Sequence, residues 1–235
     1  MTPLDESKLE RIRTDDGSET VKRTDLDATY RSTGGAMSES RHVFIEASGL
    51  MQRPGPWRVL ELGFGLGTNL DQLIQAARTH GVSVDYVGLE AEPIPPNWVP
   101  EKIHHREFIQ DLLHQAEGEG SSTPSRAGHI RATLLSTRWQ ECTLPPFGAH
   151  AIFHDPFGPA TNPDCWDLKV FLWERKHIAP DGIICTYGAA GHVRRAMRDA
   201  GFYVAEAPGY GRKREMTLAS PVPESLSSYK VRYRP

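Results

Sequence analysis

Apolar positions along the chain follow two periods. From residue 58 onward, short apolar runs alternate with longer stretches whose apolar residues recur at helical spacing. Residues 58–62 read as a strand. Residues 69–80 read as a helix with Leu70, Leu73, Ile74 and Ala77 on one face and Gly81 as its stop. A second strand at 84–89, a helix at 103–117, and strands at 130–135 and 149–155 follow. A helix over 164–178 places Leu168, Phe171, Leu172 and Ile178 inward. Pro180-Asp181-Gly182 reads as a turn into a strand at 182–187. A helix at 191–200 ends at Gly201, and 202–207 with 215–220 form a closing hairpin. Such alternation requires parallel strands joined by right-handed crossovers, hence an α/β, doubly wound, mostly parallel sheet with a terminal antiparallel strand.

The pattern is weaker upstream. Residues 38–50 read as one helix with Val43, Phe44, Ala47 and Leu50 on a common face. Residues 1–24 are charged, carry few large apolar groups, and read as a loosely packed arm. Residues 118–128, rich in Gly, Ser and Pro, read as a surface loop.

Composition adds limits rather than direction. Hydrophobic residues at 38% and charged residues at 24% suit a chain able to bury a core. The net charge of -3 gives no bulk reason to expect a nucleic-acid partner, although a local basic patch stays open because the field depends on distribution. No apolar run is long enough to span a membrane. The N-terminus lacks the apolar stretch of a secretory signal. Cys142, Cys165 and Cys185 are far apart, so neither a disulfide framework nor a metal site is expected. A reducing, cytoplasmic setting is the simplest reading.

Candidate chemistry gathers at two strand ends. The first strand runs into Gly63-Phe64-Gly65-Leu66-Gly67, and a helix follows. Glycines there let the backbone turn tightly and approach a ligand closely. Glu90 closes the second strand, where a carboxylate can accept both ribose hydroxyls. These features also fit a nicotinamide or flavin enzyme. Two details favour S-adenosylmethionine: the spacing is G-x-G-x-G, and Glu61 precedes the turn, where it could hold the cationic amino-acid end of that cofactor. The fourth strand ends in His154-Asp155-Pro156-Phe157-Gly158-Pro159. Pro156 and Pro159 stiffen this loop. Asp155 can orient an amine and take up its proton, and Phe157 can stack on a flat substrate beside a cationic methyl group. His154 points the other way along the strand and reads as a core histidine.

These segments resemble the methyltransferase half of the bifunctional enzyme MnmC and its stand-alone relatives. The resemblance covers roughly residues 15–220. It rests on Asp16-Gly17-Ser18, Tyr30-Arg31-Ser32, Glu39 to Phe44, Glu61 to Asn69, Phe153 to Trp166, Gly191 to Arg195, and Gly209 to Met216. It implies a Rossmann-like class I S-adenosylmethionine-dependent methyltransferase fold, divided into an arm (1–24), a methyltransferase domain (25–220) and a C-terminal tail (221–235). It also implies methylation of 5-aminomethyl-uridine, often 2-thiolated, at the tRNA wobble position. Asp155 and Phe157 would sit at the amine and base. Glu61, Gly63, Phe64, Gly65, Gly67, Asn69 and Glu90 would hold the cofactor, and Tyr30, Ser32 and Glu39 would line the pocket. Arg194, Arg195, Arg212, Lys213 and Arg214 would meet RNA phosphates.

The chain departs from the family's pattern in three places. It reads Gly63-Phe64-Gly65-Leu66-Gly67-Thr68-Asn69 where the family usually has Gly-Phe-Gly-Thr-Gly-Leu-Asn. It reads Ser136-Thr137-Arg138 where the family has an aspartate near the adenine. It reads Tyr187-Gly188-Ala189-Ala190 where the family has a Thr-Ser pair. No flavin-binding oxidase half follows in the sequence, so methyl transfer alone is expected. Rival readings are an N-methyltransferase for another amine, a nicotinamide-dependent oxidoreductase, and a silent tRNA-binding module.

Overall fold

A computed structural model of the chain describes residues 4–14, 17–31, 34–119, 125–211 and 213–235, with 117–119 as backbone. The chain opens with strands β1 (Leu9–Arg13), β2 (Glu19–Arg23) and β3 (Ala28–Thr29), which form a three-stranded antiparallel sheet. For the described residues 4–14 and 17–24, this corrects the loosely packed arm expected over 1–24. Leu4, Leu9 and Val21 are few, but all three enter one small cluster with Leu66 of the glycine-rich turn and Ile94. Polar contacts add to this: Trp98 Nε1 donates to Glu6 at 2.9 Å, and Arg23 meets Glu92 at 2.7 Å. The partners lie some seventy to ninety positions away. No local pattern can reveal them.

Next come α1 (Ala36–Ser40) and a π-helical turn, Arg41–Glu46, where a single helix was expected. The expected face is buried, since Val43, Phe44, Ala47 and Leu50 all join the core. The wider turn also brings Ile45 inside, so that Val43, Phe44 and Ile45 are buried in succession.

The main sheet is built from β4 (Trp57–Leu62), α2 (Thr68–His80), β5 (Val84–Glu90), α3 (Arg106–Glu119), β6 (Ser125–Ala127), β7 (Ile130–Ser136), β8 (Ala149–His154), α4 (Leu168–His177), β9 (Ile178–Thr186), α5 (Gly191–Asp199), β10 (Tyr203–Pro208), β11 (Glu215–Ser220) and β12 (Lys230–Tyr233). Its nine strands run in the order β12-β10-β11-β9-β8-β4-β5-β7-β6. The block from β9 to β7 is parallel, and the strands on either side of it are antiparallel. Residues 221–235, set apart as a tail, therefore supply the edge strand β12 beside β10.

Side-chain alternation assigns the two faces. Trp57 and Val59 of β4 point to the layer of α2 and α3, and Leu60 and Leu62 to the layer of α4 and α5. Helix α4 starts one turn later than expected, because Asp167 caps it by accepting from the backbone N–H groups of Lys169 and Val170. Its inner face is Val170, Phe171, Glu174 and His177. Leu168 and Leu172, expected inward, are 40% and 44% exposed. The helix is rotated from the apolar reading because buried Glu174 pairs with His154 of β8 at 2.7 Å. His154 is thus a core histidine, as its place on the strand implied.

Candidate functional site

The sheet changes direction between β4 and β8. From β4 the chain winds outward to β5 and β7, then returns to β8 and winds the other way to β9. Ligands of open α/β sheets bind at such a switch point, beyond the strands' carboxyl ends. A cavity of about 710 Å³ opens there, within the usual range for a small-molecule site, about 300–1,000 Å³.

The turn after β4 forms one wall. Gly63 and Gly65 line the cavity. Gly63 has a φ of +85°, and a Cβ on it would lie 2.6 Å from the Asp155 carbonyl oxygen, so the turn and the loop after β8 touch backbone to backbone. The Glu90 carboxylate is fixed at the end of β5. It accepts from the backbone N–H of Gly65 at 2.9 Å and of Glu92 at 3.1 Å. Burial pushes its pKa up, and those two N–H groups oppose the push.

Asp155 stands opposite, with its side chain 7% exposed. Its Oδ2 accepts from Asn69 Nδ2 at 2.9 Å and pairs with Arg31 Nη1. Burial raises its pKa, and the Arg31 guanidinium and the Asn69 amide work against that. The loop beyond is held by its carbonyls: Tyr187 donates to Pro156 O and Trp166 Nε1 to Phe157 O, both at 2.7 Å. The Phe157 ring faces Tyr30 with centroids 5.0 Å apart. The two rings make an aromatic corner beside the carboxylate.

Several expected site residues lie elsewhere. Glu61 alternates onto the same face as Trp57 and Val59, so it is fully buried under α2 and does not line the cavity. It accepts from Asn69 Nδ2 at 2.6 Å and from the Tyr86 hydroxyl. Burial pushes its pKa up to about 8. Asn69 thus bridges Glu61 and Asp155, and its own Oδ1 accepts from Ser40 at 2.5 Å. Phe64 packs into the core with its ring 6.5 Å from that of Tyr86, and Gly67 is closed off by Ile109. Ser32 lies outside the described residues. Glu39 does line the cavity, but it pairs with Lys213 at 2.7 Å.

The expected phosphate contacts also divide. Arg194 is buried, paired with Glu206 and Glu215 at 2.7 and 2.9 Å, and bonded to Thr217. This corrects its reading as an RNA contact: a buried cation with two carboxylate partners is part of the fold. Lys213 turns toward the cavity, with its ammonium 4.4 Å from the centre of the Tyr187 ring. Arg195 and Arg214 are exposed, and Arg212 is outside the described residues. No local pattern marks Arg31 as a site residue, because its partner Asp155 is remote in sequence and its backbone is held by Thr20 of β2. After β7, where the sequence carries no acid, the cavity is lined by Thr137, Arg138, Trp139 and Gln140.

Comparisons with known proteins agree with this geometry. Residues 138–221 match the family described as "S-adenosyl-L-methionine-dependent methyltransferase". The chain is 33% identical over 213 residues to the tRNA 5-methylaminomethyl-2-thiouridine biosynthesis bifunctional protein MnmC of Ralstonia nicotianae, covering 83% of this chain and 32% of that protein. It is 33% identical over 224 residues to MnmC of Marinobacter nauticus, covering 85% and 35%. The crystal structure of MnmC2 from Aquifex aeolicus superimposes with a TM-score of 0.78 at 26% identity, covering 99% of this chain and 74% of that one. The chain thus spans about a third of the length of the MnmC proteins it matches. Fold, glycine-rich turn and matches together define a class I S-adenosylmethionine-dependent methyltransferase. Within that class, the chain belongs to the MnmC methyltransferase-domain family.

The residues present fit the cofactor. A bound S-adenosylmethionine would have the Gly63–Gly65 backbone and Glu90 along one side. The Asp155 carboxylate and the Tyr30 and Phe157 rings line the rest of the cavity, where an amine substrate would be held. Among the described residues, no group of His, Cys, Asp and Glu has the arrangement of a metal site, and no helix is long and apolar enough to cross a membrane.

Proposed function

We propose that this chain methylates the amine of 5-aminomethyl-(2-thio)uridine at the wobble position of tRNA, in the cytoplasm, giving 5-methylaminomethyl-(2-thio)uridine. The observation that carries this reading is the buried Asp155 carboxylate beside the Phe157 and Tyr30 rings, at the same strand ends as the cofactor turn. Supporting it are relatives named for the biosynthesis of 5-methylaminomethyl-2-thiouridine in tRNA.

S-adenosylmethionine supplies a methyl group already activated on a sulfonium. The chain supplies position and deprotonation. An aminomethyl group is mostly ammonium at neutral pH and then has no lone pair. Asp155 accepts a hydrogen bond from that ammonium and takes its proton, leaving a neutral, oriented amine. Phe157 and Tyr30 pack on the flat pyrimidine and hold the amine near the methyl group. The segment 25–220, together with strands β1, β2 and β12 that pack with it, is proposed as the unit that does this. Arg195, Lys213 and Arg214 are the described residues proposed to meet tRNA phosphates, and Arg212, next in sequence, is proposed with them.

The test is labelled methyl transfer from S-adenosylmethionine to tRNA carrying 5-aminomethyl-uridine. Label should appear in 5-methylaminomethyl-uridine and be absent from tRNA lacking the aminomethyl group. Transfer to a small amine or a protein, with none to that tRNA, would replace the substrate in this proposal. Binding through several phosphates weakens steeply with salt. A variant with Arg212, Lys213 and Arg214 changed to Ala should therefore bind tRNA more weakly and with a flatter salt dependence.

A further inference from the structure

Glu39 and Asp155 line one part of the cavity, with Glu90 across it and the buried Glu61 behind Asp155. The cations among them are Arg31 and Lys213, and Lys213 is taken up by Glu39 at 2.7 Å. Arg31 therefore serves Asp155. Its side chain is 4% exposed, a nearly complete desolvation for a guanidinium. Three contacts hold it in place. Its backbone N–H donates to Thr20 Oγ1 of β2 at 3.0 Å, the neighbouring Tyr30 N–H donates to Val21 O at 2.9 Å, and its guanidinium lies 5.9 Å from the centre of the Phe44 ring.

The carboxylate is engaged on one side. Among the described residues, both Arg31 and Asn69 take Oδ2, and none takes Oδ1. Asp155 also lines the cavity.

We propose that Arg31 is a positioning residue for the reaction: with the Asn69 amide it holds Asp155 by Oδ2 and keeps it a carboxylate, so that Oδ1 is the oxygen that receives the substrate ammonium. This rests on the assignment of Asp155 to the amine in the proposed function. The electrostatics run the same way. Burial and the nearby Glu39 push the Asp155 carboxyl up, while Arg31, Asn69 and Lys213 pull it down. Glu61 and the Tyr86 and Tyr187 hydroxyls are the other titratable groups among the described residues that interact with it. Without the guanidinium, Asp155 would hold a proton further into the neutral range and could not accept one from an ammonium. The N-terminal sheet thereby gains a purpose: it delivers a cation to the reaction carboxylate as well as covering the cofactor turn.

The test compares Arg31→Gln, Arg31→Lys and Asp155→Asn with the unaltered chain. It reads kcat/KM against pH on tRNA carrying 5-aminomethyl-uridine, with cofactor-induced thermal stabilisation in parallel. Arg31→Gln should move the acid limb upward by about one pH unit, equal to a tenfold change in proton affinity. It should be slowed most on the acid side, recover as pH rises, and still bind cofactor. Arg31→Lys keeps the charge and should leave the limb within a few tenths of its normal place. An unmoved limb in Arg31→Gln, or Arg31→Lys as impaired as Arg31→Gln at every pH, overturns the proposal. Should Arg31→Gln not fold, Arg31→Lys carries the test alone, and a limb displaced by a full unit in it overturns the proposal. If Asp155→Asn turns over normally, the reaction site itself is misassigned. If Asp155→Asn is slow while Arg31→Gln keeps the normal profile, only the role of Arg31 falls.

Discussion

Replacing Gly63 with Ala isolates the contact that joins the cofactor turn to the reaction loop. Gly63 and Gly81 both have positive φ, +85° and +65°. A Cβ at Gly81 would meet nothing within 4 Å, whereas one at Gly63 would lie 2.6 Å from Asp155 O and 2.9 Å from Pro156 Cα. Placing Ala in a left-handed conformation costs about 1–2 kcal/mol at either position. At Gly63 alone, backbone must also move, and forcing atoms into a packed region costs a further ~1–3 kcal/mol. The expected losses are therefore about 1–2 kcal/mol for Gly81→Ala and about 2–5 kcal/mol for Gly63→Ala. At this chain length each kcal/mol shifts Tm by roughly 2–4 °C, giving about 2–8 °C and about 4–20 °C. Calorimetry of both variants, with and without S-adenosylmethionine, measures the difference. Gly63→Ala should also weaken cofactor binding and slow methyl transfer, because the displaced atoms belong to Asp155 and Pro156. Equal shifts in Tm for the two variants, with cofactor binding intact in both, would show that the turn and the loop do not touch as described.

Four further outcomes are expected. Asp155→Ala should lower methyl transfer by roughly 10²–10⁴-fold while leaving cofactor binding intact; near-normal turnover moves attention to Tyr30 and Glu39. Saturating S-adenosylmethionine should stabilise the chain by about 2.7 kcal/mol at one hundred times its Kd. Gly65→Val should abolish that gain, since its Cβ would sit 2.9 Å from the Tyr30 ring; an undiminished thermal shift contradicts the assignment. Glu61 has a pKa of about 8 in the fold against an ordinary 4.5, so the folded chain retains a proton that the unfolded chain releases. That contribution is fully present below about 4.5 and is lost as pH rises through about 8. Urea titrations should show a shallower decline across this window for Glu61→Gln, and parallel curves refute the point. Arg194→Ala should destabilise the fold by about 1–3 kcal/mol through the lost bonds to Glu206, Glu215 and Thr217, with Glu206 keeping Arg232 as a partner. Unchanged stability together with weakened tRNA binding would return Arg194 to the RNA surface.

Much of this protein was legible in its amino-acid sequence. Period-2 and period-3.6 patterns are local, so strands β4, β5, β7, β8 and β11, and helices α2 and α5, fall close to where the residues put them. The same holds for the glycine turn, for Glu90 at the end of β5 and for Asp155 just beyond β8, because strand order and crossover handedness bring those ends together. What tertiary structure decided was pairing between remote segments. Leu4, Leu9 and Val21 mean little until Leu66 and Ile94 are beside them. Glu174 looks like a surface residue until His154 faces it. Glu61 looks like a ligand until the strand's alternation turns it under α2 to Asn69 and Tyr86. Arg194, Lys213 and Arg31 are three basic residues in the sequence. Burial and the nearest carboxylate make the first a strut, the second the partner of Glu39, and the third the partner of Asp155. A charge is written in the sequence, but its energy depends on solvent exposure and on the distance to its neighbours, and both exist only once the chain has folded.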